Sequence, residues 1–181
     1  MSIYTKVGDQ GSTRFPDGRM GRKSEPVIAA LGSLDELNSH LGLCLCEARA
    51  RGFADVIDAL TPLQGQIMTL SATLVQVPGV WLGDTAVGEL EKRIDTVTAV
   101  VGPLRSLIVP GGCELACRLH VARTVCRRAE RDLVATHDHQ HPLEPATLPF
   151  INRLSDLLFN LARLANQQAG FGLQAPDFRR D

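Results

Sequence analysis

Apolar residues return at steps of three and four along most of this chain, the spacing that places side chains on one face of an α-helix. Several such stretches stand out, punctuated by glycine and proline. The first opens at Pro26, suited to a first helical turn, and runs to about Arg51 before Gly52; Leu34, Leu37, Leu41 and Leu45 are its buried side. The second covers roughly Ala54 to Gln76 on Val56, Ile57, Leu60, Leu63, Ile67, Leu70 and Leu74. Pro62 within it predicts a kink or a break, and Pro78-Gly79 closes it. A third, from about Thr85 to Val101, has Asp84 as its N-cap and Gly102-Pro103 as its end. Leu107 to Gly112 reads as a short extended apolar run and a turn that delivers the chain to a fourth helix. Leu115, Leu119, Ala122, Cys126, Ala129 and Leu133 form the seam of that helix, and a fifth spans about Glu144 to Gln168. The predicted fold is all-α, helix packed on helix.

The polar positions sharpen this picture. On the fourth helix Arg123, Arg127 and Glu130 share one face, with Arg131 at its edge, and that face borders the apolar seam. Guanidinium groups there are costly to desolvate without an acidic or phosphate partner. One candidate is Asp35, which leads a polar strip of Asp35, Asn38, Ser39 and Gly42 on the first helix; the alternative is a solvated helix face. Gly32 in the same helix costs about 1 kcal/mol relative to alanine and points to a close backbone approach. On the fifth helix Asn152, Asp156, Phe159 and Arg163 fall on one side.

Residues 1–25 show no apolar periodicity and do not resemble a folded element. Two readings stand open. One is a frayed N-terminus. The other is a phosphate-wrapping segment, in which glycines let backbone N–H groups approach an anion, Ser12 and Thr13 donate, and Lys6 and Lys23 supply charge. The Walker A pattern is absent.

Composition narrows the class. The 181 residues read as one domain, divided into residues 1–25, a helical body at 26–168 and a short polar tail at 169–181. Hydrophobic content of 44% with 22% charged residues is that of a soluble globular protein, and the 4% of aromatics favours helices over a β-sandwich. A net charge of −1 gives no global field for nucleic acid or an anionic membrane, so any anion site is local. No apolar run reaches the roughly 18 residues of a membrane span. The odd set Cys44, Cys46, Cys113, Cys117 and Cys126, with no secretory leader apparent, points to reduced thiols in a cytoplasm. Cys113 and Cys117, one turn apart, read as small hydrophobes in a helix core, because structural zinc needs four ligands. His137, His139 and His141 read as a solvated connector, with metal binding the alternative. No Glu-x-x-His pair of the di-iron kind is present.

Five motifs then occur in order: Tyr4-Thr5-Lys6-Val7-Gly8-Asp9-Gln10-Gly11-Ser12-Thr13, Gly32-Ser33-Leu34-Asp35-Glu36-Leu37-Asn38-Ser39, Pro110-Gly111-Gly112, Cys126-Arg127-Arg128-Ala129-Glu130-Arg131 and Asn152-Arg153-Leu154-Ser155-Asp156. Together, from about Ile3 to Ala165, they closely resemble the PduO-type ATP:cob(I)alamin adenosyltransferases. The resemblance implies a homotrimer of five-helix bundles in which ATP and a corrinoid share a site between subunits. It implies a reaction in which cob(I)alamin, reduced by a partner reductase, attacks the 5′-carbon of ATP and expels triphosphate, with Mg2+ and fixed cations stabilising the leaving group. By matching positions, Thr5, Lys6, Gly8, Ser12, Thr13 and Lys23, with Val7 among them, wrap the polyphosphate. Arg127, Arg128, Ala129, Glu130, Arg131 and Asn152 hold nucleotide and metal, with Arg127 on phosphate and Glu130 and Asn152 near magnesium or ribose. Arg123 and Asp35 match positions that pair across the subunit boundary; with Arg127 they are the implied catalytic set. Leu107 stands where the family usually carries an aromatic that helps displace the corrinoid's lower axial ligand. Val7, where the family often has a smaller or polar residue, is a lesser departure. Leu107 therefore keeps open a substrate without a strongly bound lower ligand. It also keeps open a second function, an ATP- or corrinoid-binding carrier or regulator with weak or no transferase activity. A purely structural bundle is the third.

Overall fold

A computed structural model describes residues 4, 6–83, 85–139 and 142–178. Five helices dominate it: α1 (Pro26–Arg51), α2 (Ala54–Leu74), α3 (Thr85–Val101), α4 (Glu114–Asp138) and α5 (Thr147–Gln168). The all-α expectation holds with one addition. Residues 1–25, expected to lack folded structure, contain an antiparallel pair of short strands, β1 (Ser12–Arg14) and β2 (Met20–Arg22). Phe15, at the end of β1, is buried and joins the hydrophobic core, and Arg19 lies over its ring at 3.9 Å. A single aromatic anchor in a glycine-rich stretch has no periodicity to announce it, which is why the pattern missed the hairpin.

α4 packs against both α1 and α5, α1 also packs on α2, and α5 on α3. The seam expected on α4 is realised: Leu115, Leu119, Ala122, Cys126, Ala129 and Leu133 are all buried, as are Leu34, Leu37, Leu41 and Leu45 on α1. α1 ends as expected, with Gly52 in the left-handed region at φ 74° accepting the C-cap geometry. Gly32 does not serve a close approach within the chain, since an added Cβ would meet nothing within 4 Å.

Pro62 neither breaks nor splits α2, which runs unbroken through it. Proline removes the donor for the carbonyl four residues earlier. That carbonyl belongs to Asp58, and the Arg93 guanidinium of α3 donates to it at 3.1 Å. A tertiary partner thus replaces the local bond. α2 ends at Leu74, two residues early, and α5 starts at Thr147 instead of Glu144. Glu144 is used instead to accept from the Leu82 N–H at 3.1 Å, joining the α2–α3 connection to the entry of α5. The cap residue Asp84 lies outside the described residues.

Phe150 is the largest fully buried side chain. Phe150→Ala should lower unfolding free energy by about 3–5 kcal/mol, read from the urea midpoint, whereas Met68→Ala on an exposed face of α2 should stay within about 0.5 kcal/mol.

Candidate functional site

Two polar surfaces and one apolar wall emerge from this framework. The first surface is the hairpin. Val7, Gly8, Ser12, Thr13 and Lys23, all expected to line a phosphate site, border a cavity of about 460 Å³ together with Arg14. Turns at Asp9 N–H to Lys6 carbonyl (3.3 Å) and Gly11 N–H to Gly8 carbonyl (3.2 Å) coil the chain around it. Lys6 sits at φ 62° and Gly11 at φ 76°, left-handed conformations that bend the chain sharply at either end of these turns. The Lys23 N–H donates to the Gly11 carbonyl at 2.9 Å, and Arg22 Nη1 to the Gln10 carbonyl at 3.2 Å, so β2 holds the loop closed. The Glu25 carboxylate accepts from the Arg22 N–H at 2.7 Å and pairs with Arg19 at 3.6 Å, tying the hairpin to the start of α1. A Cβ at Gly21 would collide with the Phe15 ring, so only glycine lets the strand sit over its anchor. Thr5 lies outside the described residues.

The second surface is the C-terminal half of α4 with its neighbours. Asn152 Nδ2 donates to Glu130 Oε1 at 2.9 Å, and Arg153 Nη1 donates to Asn152 Oδ1 at 2.9 Å. Arg153 is itself held by Glu91 of α3 at 3.0 Å. The two expected metal-side residues are therefore brought together and oriented by a chain reaching across to α3. Arg128 forms an ion pair with Glu36 of α1. Arg131 Nη1 donates to the Arg127 carbonyl at 3.1 Å, while Arg127 itself is exposed. Ala129, named with this motif, is fully buried; it packs the helix and offers only backbone to a ligand. Glu36, Glu91 and Arg153 were not among the candidate residues. Glu36 and Arg153 lie inside the quoted motifs, but nothing in spacing says which charge meets which.

Arg123 is half-buried, with its guanidinium 5.8 Å from the Phe159 ring and its Nε without a hydrogen-bond partner. Burial first, and Arg127 second, lower its pKa. His120 is buried one turn earlier against the Phe159 edge, and its pKa is lowered too, by burial first and by the Arg123 charge second. Asp35 is exposed and forms no ion pair with Arg123 within the chain among the described residues. Asn152, Asp156 and Phe159 keep a common flank, but Arg163 turns inward, where it donates to the Val101 and Gly102 carbonyls at 3.1 and 2.8 Å and closes the end of α3.

The third feature lies at the other end of α4. Leu107 is 67% exposed, and Leu104, Val109, Phe171 and Leu173 are exposed beside it in the sequence segments flanking α4 and α5. The tail after Gly170 is thus not simply polar, and it is tied back by Val109 N–H to the Gln174 carbonyl at 2.8 Å.

The thiols correct one expectation in part. Cys113, half-buried at the N-cap of α4, packs against the core, whereas Cys117 is exposed and is not a core residue. His137 falls within α4 and His139 at its C-cap, where Nδ1 meets the Ala135 carbonyl at 2.7 Å; His141 lies outside the described residues. Among the described residues no group of three metal-ligating side chains occurs. That does not count against magnesium beside a triphosphate, which needs one or two carboxylates with substrate oxygens completing the shell. Glu130 is a carboxylate of this kind, and Asn152 holds one of its oxygens in place.

The fold defines a five-helix bundle with a basic ledge on its central helix and a cavity bordered by Lys23 and Arg14 in its N-terminal hairpin. The chain belongs to the cobalamin adenosyltransferase family, whose model matches residues 3–165. It is 39% identical over 175 residues to the corrinoid adenosyltransferase PduO of Salmonella typhimurium, covering 93% of this chain and 51% of that protein. It is also 39% identical over 176 residues to the corrinoid adenosyltransferase of Bacillus subtilis, covering 95% and 90%. The chain thus spans about half the length of the Salmonella relative and nearly all of the Bacillus one. Its fold superimposes, at a TM-score of 0.89 and 34% identity over 97% of this chain and 99% of the other, on a phenylalanine-to-alanine variant of the PduO-type ATP:corrinoid adenosyltransferase from Lactobacillus reuteri complexed with cobalamin and ATP.

Burial pushes the Cys44 thiol from 9.0 up to about 12, with Arg118 opposing, and raises Cys126 further, reinforced by Glu130. Iodoacetamide at pH 8 should therefore label Cys46 and Cys117 and spare Cys44 and Cys126 until denaturant is added. The sign for stability follows from the same shifts. The unfolded chain ionises these thiols first as pH rises past 9.0, so their contribution is full below that pH and is lost toward 12. The stability difference between the wild type and Cys44→Ala should narrow from pH 8 to pH 11 in denaturant titrations.

Proposed function

We propose that this protein transfers the 5′-deoxyadenosyl group of ATP to the cobalt of cob(I)alamin or a related reduced corrinoid, releasing triphosphate. The observation that carries the reading is the hairpin cavity, where five residues matched to polyphosphate binding border one space. The names of the relatives and the ATP and cobalamin in the Lactobacillus complex support it.

In this reading the cobalt lone pair attacks C5′, a cobalt–carbon bond forms, and the C5′–O bond breaks with its electron pair leaving on triphosphate. Lys6, Lys23, Ser12, Thr13 and the N–H groups around Gly8 bind the polyphosphate, with Thr5 assigned to the same segment. Arg127, exposed and without an acidic partner among the described residues, meets the phosphate charge that grows as the bond breaks, so it stabilises the transition state more than the ground state. Arg128 and Arg131 are engaged with Glu36 and with the Arg127 carbonyl, and act by fixing the ledge. Glu130 and Asn152 would hold magnesium, which when bound neutralises triphosphate charge. Leu107 contributes an apolar contact to the corrinoid.

The assembly is a homotrimer in this proposal, with each site shared between subunits. Arg123 offers a half-buried guanidinium whose Nε lacks a partner, and Asp35 offers an exposed carboxylate, so each would complete the other across a subunit boundary. A reductase delivers the Co(I) state, and the cytoplasm is the setting, in keeping with five free cysteines. Among the described residues no helix is long and apolar enough to cross a membrane.

Protein, ATP, magnesium and chemically reduced cobalamin should yield light-sensitive adenosylcobalamin and triphosphate; absence of both products refutes the transferase. Arg127→Ala should lose at least roughly a hundredfold in turnover, and retention of full activity removes the phosphate assignment. Leu107 favours the second reading, a carrier: calorimetry would then find tight ATP or corrinoid binding with no ATP consumed. A parallel assay with cobinamide tests whether leucine at this position goes with a corrinoid that lacks the lower base.

A further inference from the structure

The start of α4 has no side-chain cap of its own: Cys113 stands at the N-cap and its thiol bonds no backbone N–H there. The bond comes from another helix. Asn166, in the last turn of α5, is only 3% exposed. Its Oδ1 accepts from the Cys113 N–H at 2.9 Å and its Nδ2 donates to the Gly111 carbonyl at 2.8 Å. Its own backbone carbonyl accepts from the Phe171 N–H at 2.8 Å. One residue thus holds the turn that enters α4 and the chain that leaves α5. Gly112 adopts φ +107°, and a Cβ there would overlap the Asn166 amide, so the turn is moulded around that side chain.

Both segments held this way are unusual for what they expose. Leu104, Leu107 and Val109 lie on the one and Phe171 and Leu173 on the other, and the Val109 N–H bond to Gln174 links the two. Gly112, Cys113 and Phe171 also border a cavity of about 440 Å³ with Phe53, Leu115 and Arg51. Apolar side chains left in water on irregular backbone would gain by collapsing or shifting, and neither segment has helix or sheet bonds to resist that. A buried amide satisfying two backbone groups, on a residue whose own carbonyl holds a third, supplies the resistance.

We propose that Asn166 is a positioning residue for the corrinoid, holding the segment through Leu107 and the segment after Gly170 as two halves of one wall against which a large flat macrocycle rests. The identity of the ligand rests on the transferase reading above. Asn166 touches no substrate; its side chain acts through Gly111 and Cys113, and its backbone carbonyl holds Phe171. Misplacing such a wall by about 1 Å can cost on the order of a hundredfold in rate, because the bound ligand is no longer aligned for attack.

The test uses the full chain. Asn166→Ala removes both side-chain bonds, and Asn166→Asp keeps the acceptor for Cys113 while losing the donor to Gly111. Calorimetry with ATP alone reports on the hairpin and the basic ledge, and an absorbance titration with Co(II) cobalamin in the presence of ATP reports on the wall. Corrinoid affinity should weaken at least roughly tenfold in Asn166→Ala and less in Asn166→Asp, while ATP affinity stays within about twofold in both. Weakening of both ligands together, or loss of ATP binding, overturns the proposal by reducing Asn166 to general stability. Unchanged corrinoid affinity overturns it as well. Wild-type turnover is read separately. A wild type that binds the corrinoid but makes no adenosyl product defeats the transferase and leaves the titration of the variants decisive for Asn166; one that binds no corrinoid overturns both.

Discussion

A guanidinium group cannot be drawn out of water without a partner, and α4 lines its buried seam with several of them. Much of the polar architecture answers that constraint. Arg128 meets Glu36 of α1, Arg118 meets Glu114 at 2.8 Å, and Arg131 returns to the carbonyl of Arg127. Among the described residues Arg123 reaches the Phe159 ring and keeps an orphan Nε. Because α4 also packs on both α1 and α5, every one of these groups is set at a fixed place relative to the bundle. In the proposed reaction such a cationic ledge would serve a leaving polyphosphate, since charges already in position require no reorganisation when the bond breaks.

A second theme is the repair of backbone groups by side chains from distant elements. Pro62 orphans the Asp58 carbonyl, and Arg93 takes it. The end of α3 exposes carbonyls at Val101 and Gly102, and Arg163 takes both. The start of α4 lacks a cap, and Asn166 supplies it. Each repair also cross-links two elements, so satisfying a hydrogen bond and fixing a tertiary angle become one event. The hairpin follows the same logic through Glu25, whose carboxylate joins β2 to α1.

The helical body was legible in the chain because burial on a helix leaves a period of 3.6. The boundaries of α1 and α3, and the seam of α4, coincide with those expected from Pro26, Gly52, Gly102 and the leucine spacing. The ledge was legible too, since Arg123, Arg127 and Glu130 differ by steps of three and four. The hairpin was not, because two three-residue strands anchored by Phe15 leave no repeat to detect. Cys117 misled for a related reason: its spacing from Cys113 is compatible with either side of a helix near its first turn, and only packing chose solvent.

What the sequence determined by itself is therefore periodic: which residues are helical, which faces are apolar, and that a row of arginines needed partners. Tertiary structure decided what has no period. It chose Glu36 for Arg128 and Glu130 for Asn152, replaced the bond lost at Pro62, and brought Val7, Ser12 and Lys23 around one cavity. Local spacing reports the direction of a side chain from its own helix axis. The partner it finds depends on how far neighbouring helices are turned and displaced, and that is settled only when the shared core between α1, α4 and α5 closes.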